Sequence, residues 1–322
     1  MSAGSCLVVM YHYVRDAAAT PFPDIRALPP QVFEQQLDWL QREYTPVGLD
    51  VLEAAVDGTA TLPPRAALLT FDDGFADHYD VVLPILRRRG LTGVFFLAHA
   101  ACAASPRVLD VHKTHFLLAR LGSAAFAEAV RRECEAVPAG AGSRASVFGR
   151  DEWEQADERS IKHLLNYELR FEESARILDA LFDRHLGPQE TFARRLYLQP
   201  PMVREMADAG MVFGYHTRSH RMLSRLAPDE QNLELRDGVG WIRDLTGQRR
   251  VSFCYPWGGA GTYTGETRRL LGAHGYSVAF NTTRRPMIVG QDDRFDLPRL
   301  DTRDLPPYTD GPAPAGAPIQ DA

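Results

Sequence analysis

Cysteine is scarce: Cys6, Cys102, Cys134 and Cys254 are scattered through 322 residues without a CxxC pair. That pattern excludes a disulfide framework and a thiolate zinc site, and predicts reduced, mostly buried thiols. Long apolar runs are also absent. The first, Cys6–Met10, has no basic residue before it and His12 soon after, too short for a signal-peptide core or a membrane span. The sequence therefore predicts a cytoplasmic protein with no membrane span. An excess of positive charge is missing as well: Lys+Arg 36 against Asp+Glu 42 gives a net charge of -6. A phosphate backbone would be repelled, so no nucleic-acid partner is expected. No repeat of fixed period occurs. What is present, 45% hydrophobic and 24% charged residues, is the composition of a globular chain with a substantial core.

Short runs rich in Val, Leu and Phe alternate with helical patterns, the rhythm of repeated β/α units. Strands are predicted at Cys6–Met10, Ala67–Phe71, Thr92–Ala98, Met211–Tyr215, Val251–Tyr255, Tyr276–Phe280 and Phe295–Leu300. Phe33, Leu37 and Leu40 mark one amphipathic helix, Val82, Ile85 and Leu86 another, and Leu233, Leu235, Val239 and Ile242 a third. Gly90, Gly210 and Gly275 fall where a helix gives way to a strand. Runs apolar on both faces imply parallel strands covered by helices, either a closed barrel or an open doubly wound sheet. Between residues 105 and 199 strand-like runs vanish, and helices are expected at Val111–Leu121, Ser123–Glu135, Glu152–Asn166 and Glu173–His185. The chain thus divides into a β/α domain (1–104 and 200–305), a helical insertion (105–199) with a mobile loop at Val137–Arg144, and a disordered Pro-, Ala- and Gly-rich tail (306–322).

Two segments carry concentrated chemistry. In Leu68-Leu-Thr-Phe-Asp-Asp-Gly74 an apolar strand runs into two carboxylates and a glycine. The carboxyl end of a parallel strand is where α/β folds bind ligands, although Asp72 and Asp73 could equally cap the next helix. In Phe213-Gly-Tyr-His-Thr-Arg-Ser-His220 a strand ends in histidines four apart, a spacing that on a helical turn aims two ring nitrogens at one cation. Either alone is a weak signal. Together, Asp73, His216 and His220 make a two-histidine, one-carboxylate set with open coordination positions, suited to water activation.

Thr70-Phe-Asp-Asp-Gly74 followed by His216-Thr-Arg-Ser-His220 resembles the polysaccharide deacetylases, the NodB-homology or carbohydrate esterase family 4 group. Cys254-Tyr-Pro-Trp-Gly258 is similar to the family's aromatic-Pro-Tyr-Gly turn, with Trp257 in place of tyrosine, and Met10-Tyr-His-Tyr-Val14 is similar to the opening strand of many members. The resemblance covers Leu7 to about Leu305, interrupted by the helical block. It implies that the α/β fold is a distorted, incomplete (β/α) barrel, to which the helical insertion, without counterpart in the minimal family domain, is added. It also implies Asp73, His216 and His220 as ligands of a divalent metal, zinc in preference to cobalt, nickel or iron, and Asp72 as general base. The backbone N–H of Trp257, in the turn with Tyr255 and Pro256, would stabilise the oxyanion. The family's Leu-x-His motif has no match, because Leu297-Pro-Arg-Leu-Asp301 contains no histidine. His12, at the end of the first strand, is the candidate to protonate the leaving amine, a structural histidine being the alternative. His274, at a helix end, is expected to be structural. Arg299 either pairs with Asp72 and tunes it or fixes a loop. Trp241 and Trp153 read as packing.

The implied activity is metal-dependent removal of an N-acetyl, or other small N-acyl, group from an amino sugar. The cytoplasmic expectation favours a small nucleotide-, lipid- or natural-product-linked glycoside. A deformylase or non-sugar amidohydrolase would use the same site, and a catalytically silent glycan-binding domain is the alternative of another class. The insertion, with His112, Lys113 and His115 near its start, is expected to narrow the substrate cleft, although a solvated helix start would explain those three residues too. The oligomeric state is left open by the sequence.

Overall fold

The structure, a computed structural model, describes residues 4–135 and 157–309. The chain divides into two compact units: Met1–Arg15, Ala27–Ala104 and Leu196–Ala322 form the first, and Asp16–Arg26 and Ser105–Arg195 the second. The boundary differs from the sequence expectation at two places. Asp16–Arg26 joins the helical unit because the Phe22 ring packs edge-on against Phe116 and Phe192 there, and the chain re-enters the first unit at Leu196 rather than at residue 200.

The first unit is built on a nine-stranded, mainly parallel sheet. Its strands are β1 (Ser5–Tyr11), β2 (Thr45–Pro46), β3 (Ala66–Phe71), β4 (Val94–Leu97), β5 (Val212–Tyr215), β6 (Ser252–Cys254), β7 (Ala279–Phe280), β8 (Met287–Ile288) and β9 (Leu300–Asp301). They lie in the order β7-β6-β5-β4-β3-β1-β8, with β2 on the first half of β3 and β9 on the last residues of β1. Phe280 bridges Leu297 in parallel while Leu300 pairs with Val9, so the last segment spans from β7 to β1 and closes the sheet into a distorted barrel. This is the expected α/β architecture. Two short strands escape the sequence pattern. Thr45–Pro46 and Met287–Ile288 are only two residues each, too short for a period of two to register.

Alternate residues of each strand face inward, and Cys6, Val8, Ala66, Leu68, Val94, Phe96, Cys254 and Phe280 share one buried cluster inside the barrel. Gly214 answers a packing need at its centre: a Cβ there would lie 2.4 Å from Phe96 Cε1. Helices cover the outside. Pro30–Glu43 buries Phe33, Leu37 and Leu40, and Gly90, Gly210 and Gly275 take φ of +66°, +87° and +78° where helices turn towards strands. The third expected helix is in fact two, Pro228–Leu235 and Gly238–Thr246, and Leu233 is 45% exposed rather than on the buried face. Among the described residues no helix is long and apolar enough to cross a membrane.

In the second unit the helices Asp110–Leu121, Ser123–Glu135, Glu158–His163, Phe171–Leu186 and Gln189–Leu196 surround a core that includes Leu117, Phe126, Val130, Ile161, Leu165, Ile177 and Leu181. The expected loop at 137–144, Trp153, and the tail beyond residue 309 lie outside the described residues.

His78 shows how tightly the first unit is filled. Its ring lies among Phe71, Phe75 and Phe95, and its Nε2–H donates to the His12 carbonyl at 3.0 Å. Burial pushes its imidazole down to about 4, from 6.5. The unfolded chain therefore binds this proton more readily, so stability is complete above pH 6.5 and falls as the pH drops towards 4, by up to ~3 kcal/mol. Denaturant unfolding at pH 7 and pH 4.5 is expected to show a smaller acid loss for His78→Gln than for the wild type. Equal losses would show that another group controls acid sensitivity.

Candidate functional site

Strand parity decides which side chains meet at the carboxyl ends of the barrel. In β3, Ala66 and Leu68 face inward, so Thr70 and Asp72 do too; in β5, Gly214 faces Phe96 in the interior, so His216 lies on the same side. The Asp72 N–H donates to Tyr11 O and the His216 N–H to Leu97 O, each at 2.9 Å, which prolongs the ladders to these residues. The chain then reverses at Asp73 and Gly74, with φ of +73° and +67°. Only glycine suits the second position, because a Cβ on Gly74 would lie 2.6 Å from Cys102 Sγ and 2.9 Å from Leu97 Cδ2. Leu198 N–H secures the Gly74 carbonyl at 2.8 Å, and Tyr197 bridges Phe75.

The HxxxH segment is not the helical turn that its spacing suggested. Thr217 and His220 take left-handed φ of +66° and +61°, and the His220 N–H donates to Thr217 Oγ1 at 2.9 Å. The loop is fastened from outside. His99 and Ala100 N–H groups donate to the carbonyls of Thr217 and Arg218, and Glu234 accepts from the Ser219 N–H at 2.8 Å and its hydroxyl at 2.5 Å. Left-handed backbone in a non-glycine residue costs about 1–2 kcal/mol. Asp73, Thr217, His220 and Trp257, at +68°, all adopt it around one site, the kind of clustering found where geometry serves chemistry.

These turns bring Asp73 Oδ1 to 3.5 Å from His216 Nε2 and 3.3 Å from His220 Nε2. The His216 Nδ1–H donates to the Cys254 carbonyl at 2.7 Å, which leaves Nε2 as a lone-pair donor towards the carboxylate. Burial, followed by the adjacent His220 ring, pushes the His216 imidazole down to about 4, so it is neutral at pH 7. A lone pair and a carboxylate oxygen directed at one point fit a divalent cation, and a set of two imidazoles and one carboxylate suits zinc, cobalt, nickel or iron(II). Asp72, His216 and Cys254 form a second cluster with ligand atoms within 4.8 Å of one another. It is the poorer cation site, because both Asp72 oxygens face a guanidinium and burial pushes the Cys254 thiol well up, keeping it protonated.

That guanidinium belongs to Arg299, fully buried in the closing segment. It donates to Asp72 Oδ1 at 2.8 Å and Oδ2 at 2.7 Å, to Thr70 Oγ1 at 3.1 Å and to the Asn281 carbonyl at 3.0 Å. Burial alone would raise the Asp72 carboxyl; the charge and hydrogen bonds of Arg299 outweigh it and hold the group well below the usual carboxylate range. Of the two alternatives open in the sequence, pairing with Asp72 is the one observed.

The other sequence candidates separate. His12 stands at the solvent side of Asp72, Nε2 3.9 Å from Oδ2, with its side chain 43% exposed. Trp257 is half-buried and its ring centre lies 6.1 Å from that of His220. Tyr255, expected beside the substrate, is buried, stacked on Tyr263 at 3.8 Å, and its hydroxyl donates to the Phe295 carbonyl at 2.6 Å. Pro256 is buried beside it. His112 and His115 lie on the Asp110–Leu121 helix of the second unit, His112 buried and their ring centres 5.9 Å apart. Lys113 is no solvated helix start, since its buried ammonium pairs with Asp110 at 2.8 Å and Asp179 at 2.5 Å. Trp241 stacks on His99 at 4.5 Å, and His274 bonds Asn232 at 2.7 Å, both packing roles. Glu234 went unnoticed in the sequence, where an acidic residue on a surface helix carries no distinctive signal.

The family model described as polysaccharide deacetylase matches residues 173–279, a span that includes the histidine loop and the Trp257 turn. A poly-β-1,6-N-acetyl-D-glucosamine N-deacetylase of Escherichia coli K12 is 35% identical over 83 residues, 25% of this chain and 12% of the relative, so the alignment spans a small part of that protein. Among solved structures, the deacetylase PplD of Streptococcus pyogenes, solved with acetate, superposes with a TM-score of 0.58 at 16% identity, covering 93% of each chain. IcaB of Ammonifex degensii gives 0.56 at 18% identity, over 93% of this chain and 92% of that one. The chain therefore matches the polysaccharide deacetylase family model in sequence over residues 173–279 and shares the barrel fold of these solved deacetylases.

Proposed function

We propose that the chain is a metal-dependent hydrolase that removes the N-acetyl group from an amino sugar. The observation that carries this is the convergence of Asp73, His216 and His220, with Asp72 beside them and committed to Arg299 instead of to the cluster. A divalent ion bound by these three residues supplies a positive centre that acidifies water and polarises an amide carbonyl.

The chain's own groups supply the rest. Asp72, kept ionised by Arg299, accepts the proton of the attacking water as its oxygen bonds to the acetyl carbon. The Trp257 N–H donates to the oxyanion that forms on the former carbonyl oxygen. His12, 3.9 Å from Asp72 and open to solvent, delivers a proton to the amine as the C–N bond breaks, releasing acetate and a free amino sugar. The curated relative named for a β-1,6-linked N-acetylglucosamine polymer supports the sugar and acyl group as substrate class, and leaves polymer and small glycoside to be compared directly.

Purified protein loaded with zinc and incubated with N-acetylated sugar nucleotides, small glycosides and β-1,6-linked oligosaccharides is expected to release acetate from at least one of them, read by mass spectrometry. Release only from N-formyl sugars or non-sugar amides would move the activity to another acyl substrate. Binding without turnover would make the chain a glycan-binding domain. Asp72→Asn is expected to retain the metal and lose activity by about a hundredfold or more, whereas Asp73→Asn weakens metal binding itself. Wild-type turnover by Asp72→Asn would exclude it as the base.

Arg299 gives a separate test of the charge arrangement. Arg299→Met strands a buried carboxylate, so denaturant unfolding at pH 7 is expected to show a loss of about 3–5 kcal/mol. Adding Asp72→Asn is expected to recover much of it, because the uncompensated charge is gone. Additive losses in the double variant would mean that the guanidinium contributes through packing instead.

A further inference from the structure

The histidine loop holds two left-handed non-glycine residues, and the helix that fastens it belongs to none of the sequence motifs. Glu234 is buried in the last turn of Pro228–Leu235, and its carboxylate accepts both hydrogen bonds that Ser219 can donate, at 2.8 Å and 2.5 Å. Its own carbonyl accepts from the Arg218 N–H at 3.1 Å. Three bonds from one residue thus immobilise the two positions immediately before His220.

Glu234 is itself held at a fixed place. Gln231, one turn earlier, accepts a hydrogen bond from Thr267 Oγ1 at 2.7 Å and donates to the Leu226 carbonyl at 3.1 Å. The Leu235 carbonyl accepts from the Tyr276 hydroxyl at 2.6 Å. Thr267 of the helix Gly265–Ala273 and Tyr276 just beyond it therefore set the position of this helix, and the helix sets the loop. A carboxylate accepting an N–H and an O–H together forms stronger, more directional bonds than a neutral acceptor would.

We infer that Glu234 is a positioning residue for the metal centre: it holds the Thr217–His220 loop in its left-handed form, so that the His220 imidazole faces Asp73 before any ion arrives. This rests on the metal-dependent function proposed above and adds a residue to it. Without the clamp the loop is free to leave its strained form, and binding an ion must first restore it. Groups that orient metal ligands typically account for ten- to a hundredfold in affinity.

The test uses the full chain in its metal-free form, with zinc alone as the probe and affinity read by competition with a chromophoric chelator. Cobalt absorption reports the ligand geometry, and the metal-free melting temperature is recorded for every variant. Glu234→Ala is expected to weaken zinc binding by about ten- to a hundredfold and to alter the cobalt spectrum. Glu234→Gln, which keeps an oxygen acceptor for the Ser219 N–H, is expected to restore most of that affinity. Ser219→Ala loses only the hydroxyl bond and is expected to fall between. A Glu234→Ala protein that melts lower but binds zinc as the wild type does would overturn the inference, since its role would then be structural only. Should that variant fail to fold, wild-type zinc affinity in Ser219→Ala overturns it equally. A wild type that binds neither zinc nor cobalt would instead refute the metal-dependent function, an outcome distinct from the other two.

Discussion

One buried ion pair organises the first unit. The Arg299 guanidinium, on the segment that closes the barrel, touches Thr70 and Asp72 at the end of β3, Cys254 at the end of β6 and Asn281 just past β7, and lies 5.8 Å from the Phe96 ring of β4. Burying two charges in this way is expensive, and an apolar pair of similar volume would often be as stable or more so. The arrangement is therefore better understood through what it does to Asp72. A carboxylate inside a barrel would otherwise pick up a proton, and the arginine keeps it ionised, as the proposed role of proton acceptor requires.

The same charge separation explains why adjacent aspartates take different parts. Strand parity sends Asp72 inward to Arg299, whereas the left-handed turn at Asp73 and Gly74 takes the next carboxylate out of the strand pattern and against the two histidines. Had Asp73 continued in extended form, it would have faced the opposite side of the sheet from Asp72. The strain at Asp73 is thus what allows two neighbouring carboxylates to serve one site. Cys254 links the halves: its carbonyl fixes the His216 ring while its thiol touches Arg299.

Much of this was legible in the sequence because strong periodicity and strand-end polarity survive folding. The apolar runs marked the longer strands, and Thr70–Gly74 and His216–His220 marked the mouth. Pro228–Leu235 and Gly238–Thr246 merged into one expected helix because apolar spacing alone does not record the break between them. The form of the histidine loop is hidden for a related reason. A spacing of four is shared by a helical turn and by a loop held from outside, and what distinguishes them is a bond to Glu234, distant in sequence. Tyr255 sits in a motif, yet its ring obeys the core, because Tyr263 and the Phe295 carbonyl offer it a complete environment. Neither partner could be paired with it from sequence alone.

The residues that complete the mouth come from segments with no recognisable chemistry of their own. Leu198 holds the carbonyl of Gly74, His99 and Ala100 hold the carbonyls of the histidine loop, and Glu234 holds its hydroxyl and amide. In each case a strained turn is stabilised by hydrogen bonds to a neighbouring segment, so the strain need not be relieved by the ligand. Ligand positions fixed in advance favour tight binding, because the ordering cost is met during folding. A motif therefore names the candidate groups, while their placement depends on partners outside it, main-chain amides in some cases and the Glu234 carboxylate in another. Those partners leave little trace in composition or spacing, which is why the candidate ligands can be named from one sequence and the rigidity of their setting cannot.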